Sequence, residues 1–450
     1  MKKGEILNVT IDKLAPDGSG ITEAGNRKIE VKGALPGDVV EVQVAALRRR
    51  RARVRLESII TEGVCRIDAK CAHFGVCGGC RWQNVPYEVQ CGLKKQILDD
   101  ALGKIHGFEP DGDIEIVQSP DVYYYRNKME FSFDRPPKDE LVKLGLHEAG
   151  RYDSVFNVTG CYLQSEISNK IIDATRAFVL DHGLSAYGLK SHVGLLRYLM
   201  IRDGKNTGEV MVNLVTSGEE FGQADAYSRH LLERVPEITT IIRSINSGRG
   251  SVSTGEEHHV LHGDGVLNDT IGKYGFTISP DSFFQTNTRQ AEQLYDYIAE
   301  LCSLTGTENV LDLYCGTGTI GIYLAERAKH VTGVELVEDA VRDARLNADR
   351  NGIDNIAFIA GQAEKTIDET MGDFDVVICD PPRAGIHPKA MKHLVRMRIP
   401  RMIYVSCNIK AVAPDMEMLM LAGYRIKEAK AFDMSPHTPH IETVFLLEIE

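Results

Sequence analysis

DLYCGTGTIG, residues 312–321, joins the apolar strand NVLDLYC to the apolar helix GIYLAERAK through three glycines. Gly316, Gly318 and Gly321 carry no Cβ to hold a ligand off the backbone, so the loop suits a small molecule at the carboxyl edge of a parallel sheet. It is not the GxxxxGK[ST] loop that cradles phosphates. Outward from it, apolar strands recur at HVTGVEL, NIAFIAG, FDVVICD and RMIYVSCN, with helices such as AVRDARLNADRNG between the early ones. That alternation predicts an open α/β sheet of Rossmann-like type with helices on both faces. GYRIKEAKAFD and HIETVFLLEIE then follow with only a loop between them, which predicts an antiparallel finish.

A glycine loop alone is compatible with a nicotinamide, a flavin or a methyl donor. Three features favour S-adenosylmethionine over a dinucleotide. Glu335 ends the second strand, where a carboxylate can accept from both ribose hydroxyls. Asp380, in FDVVICDPPR, closes the fourth strand beside a rigid proline lip, near the place expected for the cofactor's methionine and the reacting carbon. A helix, TNTRQAEQLYDYIAELCSL, precedes the first strand, as at the start of a methyltransferase domain.

Methylating oxygen or nitrogen needs only a lone pair, whereas C5 of a pyrimidine is barely nucleophilic. A thiolate adding at C6 makes C5 enolate-like, and a base must later remove the C5 proton so that the thiol can leave. Three cysteines lie near the cofactor edge. Cys315 sits inside the glycine loop, and strand alternation turns Cys379 into the sheet packing. Cys407, in YVSCN, closes the fifth strand and is the expected nucleophile, with Asn408 placed to hold the loop; a buried small hydrophobe is the plainer alternative. Glu442, where a loop enters the last strand, is the expected base, and His437 and His440 remain alternatives. In DSFFQTN, residues 281–287, Phe283 or Phe284 can stack on an extruded base while the other packs, and Gln285 can bond the cofactor or the uracil edge.

The rest of the 450-residue chain is read more coarsely. Residues 1–58 alternate apolar and polar in short runs broken at PDGSG, EAGNR and ALPGD, which predicts a small OB-like β-barrel. Its end, LRRRRARVRLE, holds Arg48, Arg49, Arg50, Arg51, Arg53 and Arg55, a basic stripe in a chain of net charge −12. Four adjacent arginines repel one another unless an anion meets them, so the stripe points to nucleic acid despite the acidic total. Residues 59–275 form a mixed α+β middle domain, with a helix expected around QILDDALGKIHG (96–107), and residues 276–450 the methyltransferase domain. No apolar run is long enough for a membrane span and no signal peptide is visible, so a cytoplasmic chain is expected, with no membrane partner. No obligate protein partner is evident, and a monomer is expected. In a reducing compartment ten cysteines are ligands, catalytic groups or buried hydrophobes rather than disulfides. CAHFGVCGGC, residues 71–80, gathers three of them as C-x5-C-x2-C, a spacing that suits an iron–sulfur cluster or tetrahedral zinc. Cys65 and Cys91 are fourth ligands by proximity.

Taken together these motifs resemble the bacterial RNA (uracil-C5)-methyltransferase family, especially its 23S rRNA branch with a TRAM domain. The resemblance runs over nearly the whole chain: the barrel, CAHFGVCGGC, YRNKMEFSF from Tyr125, DSFFQTN, DLYCGTGTIG, ICDPPR, VSCN and HIETV. It implies Cys407 as nucleophile, Glu442 as base, and contacts to S-adenosylmethionine from Gln285, Tyr314, Glu335 and Asp380. It further implies a [4Fe–4S] cluster on Cys71, Cys77, Cys80 and Cys161, and 23S ribosomal RNA as partner, with Tyr125, Arg126 and Lys128 as candidate RNA contacts.

A tRNA uracil-C5-methyltransferase is the nearest rival; that branch is expected to lack both the barrel and the cysteine loop. A cytosine-C5 enzyme would place its nucleophile in a PC motif, and an N6-adenine enzyme an aromatic where Arg383 stands. A non-catalytic RNA-binding iron–sulfur protein would keep the barrel and the cysteines but not Cys407, Glu442, Glu335 and Asp380 together.

Overall fold

The computed structural model describes residues 1–105, 108, 113–134, 141–369 and 373–449. The chain forms two compact units. One comprises Met1–Lys70, Gly79–Val122 and Ile378–Glu450, the other Cys71–Gly78 and Tyr123–Val377.

The first unit opens with six strands, β1 (Ile6–Thr10), β2 (Lys13–Leu14), β3 (Gly20–Ala24), β4 (Arg27–Val31), β5 (Val39–Leu47) and β6 (Arg51–Thr61), in the order β1-β5-β6-β4-β3-β2. Only β4 and β6 pair in parallel. Alternate residues turn inward, so Val9, Ile29, Val31, Val40, Val42 and Ala52 make one core. Asp38 is fully buried beneath it and accepts from the Leu35 and Gly63 amides and from both terminal nitrogens of Arg66. Helix α1 (Tyr87–Leu102) starts earlier than the expected 96–107, because Gln90, Cys91, Leu93 and Lys94 already bury one side of its first half. It ends at Gly103, and residues 106–107 of the expected helix lie outside the described residues. Strand β7 (Ile116–Val117) follows.

The second unit is built on a seven-stranded sheet. Its strands are β8 (Lys128–Asp134), β9 (Lys143–His147), β10 (Val155–Asn157), β11 (Leu196–Asp203), β12 (Val210–Thr216), β13 (Thr240–Ile245) and β14 (Glu257–His262), with helices α2 (Glu166–Asp181) and α3 (Ala224–Arg234) packed together. The order is β10-β9-β8-β11-β12-β13-β14, with β12 and β13 parallel. Every residue of β12 is buried, as expected of a central strand covered on both faces. A hairpin, β15 (Leu267–Ile271) and β16 (Tyr274–Ile278), leads to α4 (Thr288–Cys302), which Asn287 caps. Then come β17 (Asn309–Leu313), α5 (Thr319–Ala325), β18 (His330–Glu335), α6 (Glu338–Arg350), β19 (Ile356–Ala360) and α7 (Ala363–Glu369). β17, β18 and β19 pair in parallel with β18 central.

β20 (Val376–Cys379) leads back into the first unit, which continues with α8 (Pro388–Met397), β21 (Arg401–Ser406), α9 (Ile409–Leu421), β22 (Tyr424–Phe432) and β23 (Glu442–Ile449). β23 runs antiparallel to both β21 and β22, and β22 runs parallel to β7. The antiparallel finish read from the two terminal strands is therefore present. Beneath the β22–β23 loop, Lys94 of α1 and Asp433 form a fully buried ion pair at 2.5 Å. Removing one partner would strand a buried charge, at a cost of about 3–5 kcal/mol.

Candidate active site

Glycine makes the cradle in the second unit. Gly316 and Gly318 have positive φ, and a Cβ on Gly318 would lie 2.6 Å from Phe358 and 3.0 Å from the Ala344 Cβ. Tyr314 shares that left-handed conformation, a costly one for a tyrosine, and its amide and that of Cys315 donate to the Val334 carbonyl. Glu335 ends β18 half exposed; its two oxygens accept from the amides of Gly316 (3.1 Å) and Val337 (2.9 Å). That fixes the carboxylate against the loop with lone pairs left for a diol, which fits the expected role toward a nucleoside.

The 281–287 segment joins the same rim, since Thr317 Oγ1 donates to the Phe283 carbonyl at 3.3 Å. Its two phenylalanines divide as the sequence suggests one must: Phe284 is buried against Phe276, while Phe283 is 63% exposed. Gln285 is half-buried, with its carbonyl bonded by Asn127 Nδ2 at 2.7 Å. Arg202, also buried, donates to the carbonyls of Pro280 and Ser282. Asn127 and Arg202 thus hold the segment through its backbone carbonyls, and no sequence motif announces that role for Arg202.

Of the candidate RNA contacts in the YRNK block, Tyr125 is buried while Arg126 and Lys128 are half-buried. Lys128 is paired with Glu130 at 2.7 Å. Arg126 donates to the Lys128 carbonyl and, with Asn127, lines up along residues 286–287. By contrast all six arginines of 48–55 are exposed, alternating in β6 with the buried Ala52 and the half-buried Val54 and Leu56.

The expected nucleophile and base lie in the first unit. Ser406 is opposite Thr443 in the β21–β23 ladder, so Cys407 and Glu442 stand one residue beyond it on the two strands. Asn408 holds the turn: its Nδ2 donates to the Arg383 carbonyl at 2.7 Å, and its Oδ1 accepts from the Lys410 amide to cap α9. Asp415 of α9 secures the proline lip by accepting from the Ile386 amide. Burial pushes the Cys407 thiol up, the charges of Glu442 and Asp380 push it further, and the Arg383 guanidinium draws it back by charge and hydrogen bond. Glu442 is held well above the ordinary carboxylate range by burial first and by Asp380 second, against Arg383. Burial likewise raises Asp380. A thiol, two reluctant carboxylates and one guanidinium therefore share one electrostatic neighbourhood. Such perturbation by desolvation and like charge is typical of acid–base sites.

The rival residues fall elsewhere. Cys379 is fully buried in β20, and burial raises the Cys315 thiol well above its ordinary value beside Asp312 and Glu335. His437, an alternative base by sequence, is buried, and that burial lowers its pKa to about 4; Gln90 Nε2 and the ring Nδ1 are 3.2 Å apart. A ring so enclosed is a poor base for a substrate, which leaves Glu442 and the exposed His440.

For the cysteine loop, Cys71, Cys77 and Cys161 belong to the second unit and Cys80 to the first. Cys71 Sγ lies 4.0 Å from the carbonyl of Gly160, directly before Cys161. Among the described residues no group of three or more His, Cys, Asp or Glu side chains is placed to hold a metal ion. Cys77 instead forms an isolated β-bridge with Glu148, and the Cys80 sulfur accepts from Gln83 Nε2.

Residues 264–450 match the tRNA (uracil-5-)-methyltransferase family model, and residues 1–56 match the TRAM domain. An uncharacterized RNA methyltransferase of Chlorobaculum tepidum is 37% identical over 99% of this chain and 97% of its own length. The chain belongs to the TRAM-containing RNA (uracil-C5)-methyltransferase family. Another uncharacterized RNA methyltransferase, from Caldanaerobacter subterraneus subsp. tengcongensis, is also 37% identical and is matched end to end. Among solved structures, the Pyrococcus abyssi tRNA (uracil-54, C5)-methyltransferase in complex with S-adenosyl-L-homocysteine aligns with a TM-score of 0.79 and 31% identity, over 98% of this chain and all of that one. This family member is therefore an S-adenosylmethionine-dependent RNA methyltransferase with a Rossmann-like class I domain and an N-terminal β-barrel. One expectation is corrected. An alignment covering 98% of the chain takes in the barrel, so the barrel does not separate rRNA enzymes from tRNA enzymes. Among the described residues no helix is long and apolar enough to cross a membrane.

Proposed function

We propose that this enzyme methylates C5 of a uridine in 23S ribosomal RNA, acting as a cytoplasmic monomer. The carrying observation is the shared end of the β21–β23 ladder, where Cys407 follows Ser406 and Glu442 precedes Thr443, with Asp380 and Arg383 acting on both. S-adenosylmethionine supplies an electrophilic methyl group. Gln285, Tyr314, Glu335 and Asp380 are the residues that hold it, with Glu335 set for the ribose. Cys407 adds through sulfur to C6 of the uracil, which makes C5 a nucleophile toward the methyl group. Glu442 then takes the C5 proton, the C5–H electrons form the C5=C6 bond, and the C6–S bond breaks to return the Cys407 thiolate. Arg383 favours the anionic forms of both groups, so it is a site residue that the DPPR motif carried without advertising it.

Methylation mapping of ribosomal and transfer RNA from a deletion strain tests the substrate. Loss of a 5-methyluridine from 23S rRNA, restored by the wild-type gene and not by Cys407→Ala, supports the reading. A tRNA substrate is the second reading, favoured by the 31% identity to an enzyme that acts on uracil-54 of tRNA. Loss of 5-methyluridine from tRNA alone would replace the first reading with it.

Cys71, Cys77, Cys80 and Cys161 are the proposed ligands of a structural [4Fe–4S] cluster. Thiolates suit iron, and the placement of Cys71 beside Gly160 favours Cys161 as the fourth over Cys65, which is exposed, or Cys91, which is buried in α1 near Asp433. Anaerobically purified protein should contain iron and acid-labile sulfide; stoichiometric zinc without iron would overturn this assignment.

A further inference from the structure

Nine residues, 433–441, connect β22 to β23, and the pair that closes this loop is Phe432 with Glu442. The proposed base therefore sits at the neck of a long hairpin loop, and the shape of the loop decides where its carboxylate stands. Loops of this length have no preferred turn to shape them. This one is held from outside by groups that take no part in the chemistry.

His437, at the middle of the loop, has a φ of 65°. Its amide donates to Gln90 Oε1 at 2.8 Å, its ring faces Gln90 Nε2, and its carbonyl accepts from the amides of Arg81 and Trp82. Gln90 is fully buried in α1 and anchored by a bond from Nε2 to the Val85 carbonyl at 2.8 Å. On the loop's first limb, Lys94 binds Asp433 and the Ser435 carbonyl, and Tyr87 donates to Asp433. On the second limb, Thr438 Oγ1 bonds the Ser435 carbonyl and accepts from the His440 amide, two residues before Glu442. Hydrogen bonds thus run from α1 through the loop as far as the His440 amide, two residues short of β23.

We infer that Gln90 is a positioning residue, which through His437 holds the 433–441 loop so that Glu442 meets the C5 proton. This rests on the proposed role of Glu442. Its consequence is specific to one step. Addition of Cys407 to C6 does not require Glu442 as base, whereas proton removal with release of the thiolate does. Loosening the loop should therefore slow release while leaving addition nearly intact.

Gln90→Met keeps the length of the side chain and removes its bonds to His437. With a uridine RNA substrate and S-adenosylmethionine, the variant should turn over at least tenfold more slowly and accumulate covalent protein–RNA adduct on denaturing gels. The single-turnover rate of adduct formation should stay within about threefold of wild type. Normal turnover, or equal slowing of adduct formation and release, would overturn the inference. Gln90→Glu, which keeps the acceptor for the His437 amide, should recover part of the release rate. It also serves as the test variant if Gln90→Met does not fold by circular dichroism. Failure of both to fold would assign Gln90 a structural role only. Glu442→Gln in parallel separates the two claims: if it traps no adduct, the role of Glu442 fails, whereas trapping by Glu442→Gln with normal release in Gln90→Met sinks the inference alone.

Discussion

Cys407 and Glu442 each lie one residue beyond Ser406 and Thr443, the pair that ends the ladder of β21 and β23. Neighbouring positions on antiparallel strands put side chains roughly 4.5–5.5 Å apart at the Cβ atoms. The end of one ladder thus brings together a thiol and a carboxyl 35 positions apart in the chain, as their proposed roles of nucleophile and base on one uracil require.

Cys407→Ala removes the only group proposed to bond C6. Methyl transfer should fall by a factor of at least about 10³, the scale of losing a covalent path. The covalent adduct with 5-fluorouridine RNA should vanish with it. Adduct retained at wild-type yield on a denaturing gel would shift the nucleophile to another residue.

Glu442→Gln should leave addition and methyl transfer in place and stop the release of product, so that methylated RNA stays bound through sulfur. The same variant should be more stable than wild type at neutral pH. Glu442 has its folded pKa raised by burial and by Asp380, so the folded state holds its proton more tightly than the unfolded chain. Such a group costs stability as pH rises from the unfolded value, near 4.3, through the folded one. Gln removes that cost. The gain in melting temperature should be on the order of 2–4 °C for each kcal/mol recovered and should shrink toward zero below about pH 4. An equal gain at pH 4 and pH 8 would show that titration of Glu442 is not its source.

The sequence made the chemistry legible where a motif ends a strand. NVLDLYC, HVTGVEL and RMIYVSCN are runs of apolar residues long enough to be read as buried strands, and each places a residue of the proposed site at its carboxyl end. Phe283 and Phe284 could only be divided by the fold, because adjacent side chains exchange faces with a single-residue shift in register. Gln90 and Arg202 were invisible for another reason: each acts on backbone atoms far away in sequence, 347 positions in the case of Gln90 and His437. The same distance hid the surroundings of His437, an alternative base by sequence, which Gln90, Trp82 and Arg81 hold from α1 and the segment before it.

Arg383→Ala should move the pH dependence of adduct formation upward. The guanidinium favours the Cys407 thiolate by charge and hydrogen bond, while burial, Glu442 and Asp380 oppose it. Without Arg383 the thiol pKa rises, so the rising limb of the rate against pH shifts to higher pH. A shift of about one unit would slow adduct formation roughly tenfold on the limb and leave the high-pH plateau unchanged. A uniform loss at every pH would instead mark Arg383 as a contact to the RNA.

The arginines of the β5–β6 hairpin should govern affinity rather than chemistry. Arg48, Arg49, Arg50, Arg51, Arg53 and Arg55 all face solvent, and Arg55 pairs with Glu57 at 2.7 Å. Each arginine that meets a phosphate releases a counterion, so the logarithm of affinity falls with the logarithm of salt by about 0.7–0.9 per contact. Replacing Arg49, Arg50, Arg51 and Arg53 with Gln should weaken RNA binding strongly at low salt and flatten that slope by roughly two to three if most of them touch phosphate. Single-turnover methylation at saturating RNA should stay close to wild type, because the hairpin lies outside the residues that act on the ring. An unchanged salt slope in a filter-binding titration would remove this hairpin from the RNA interface.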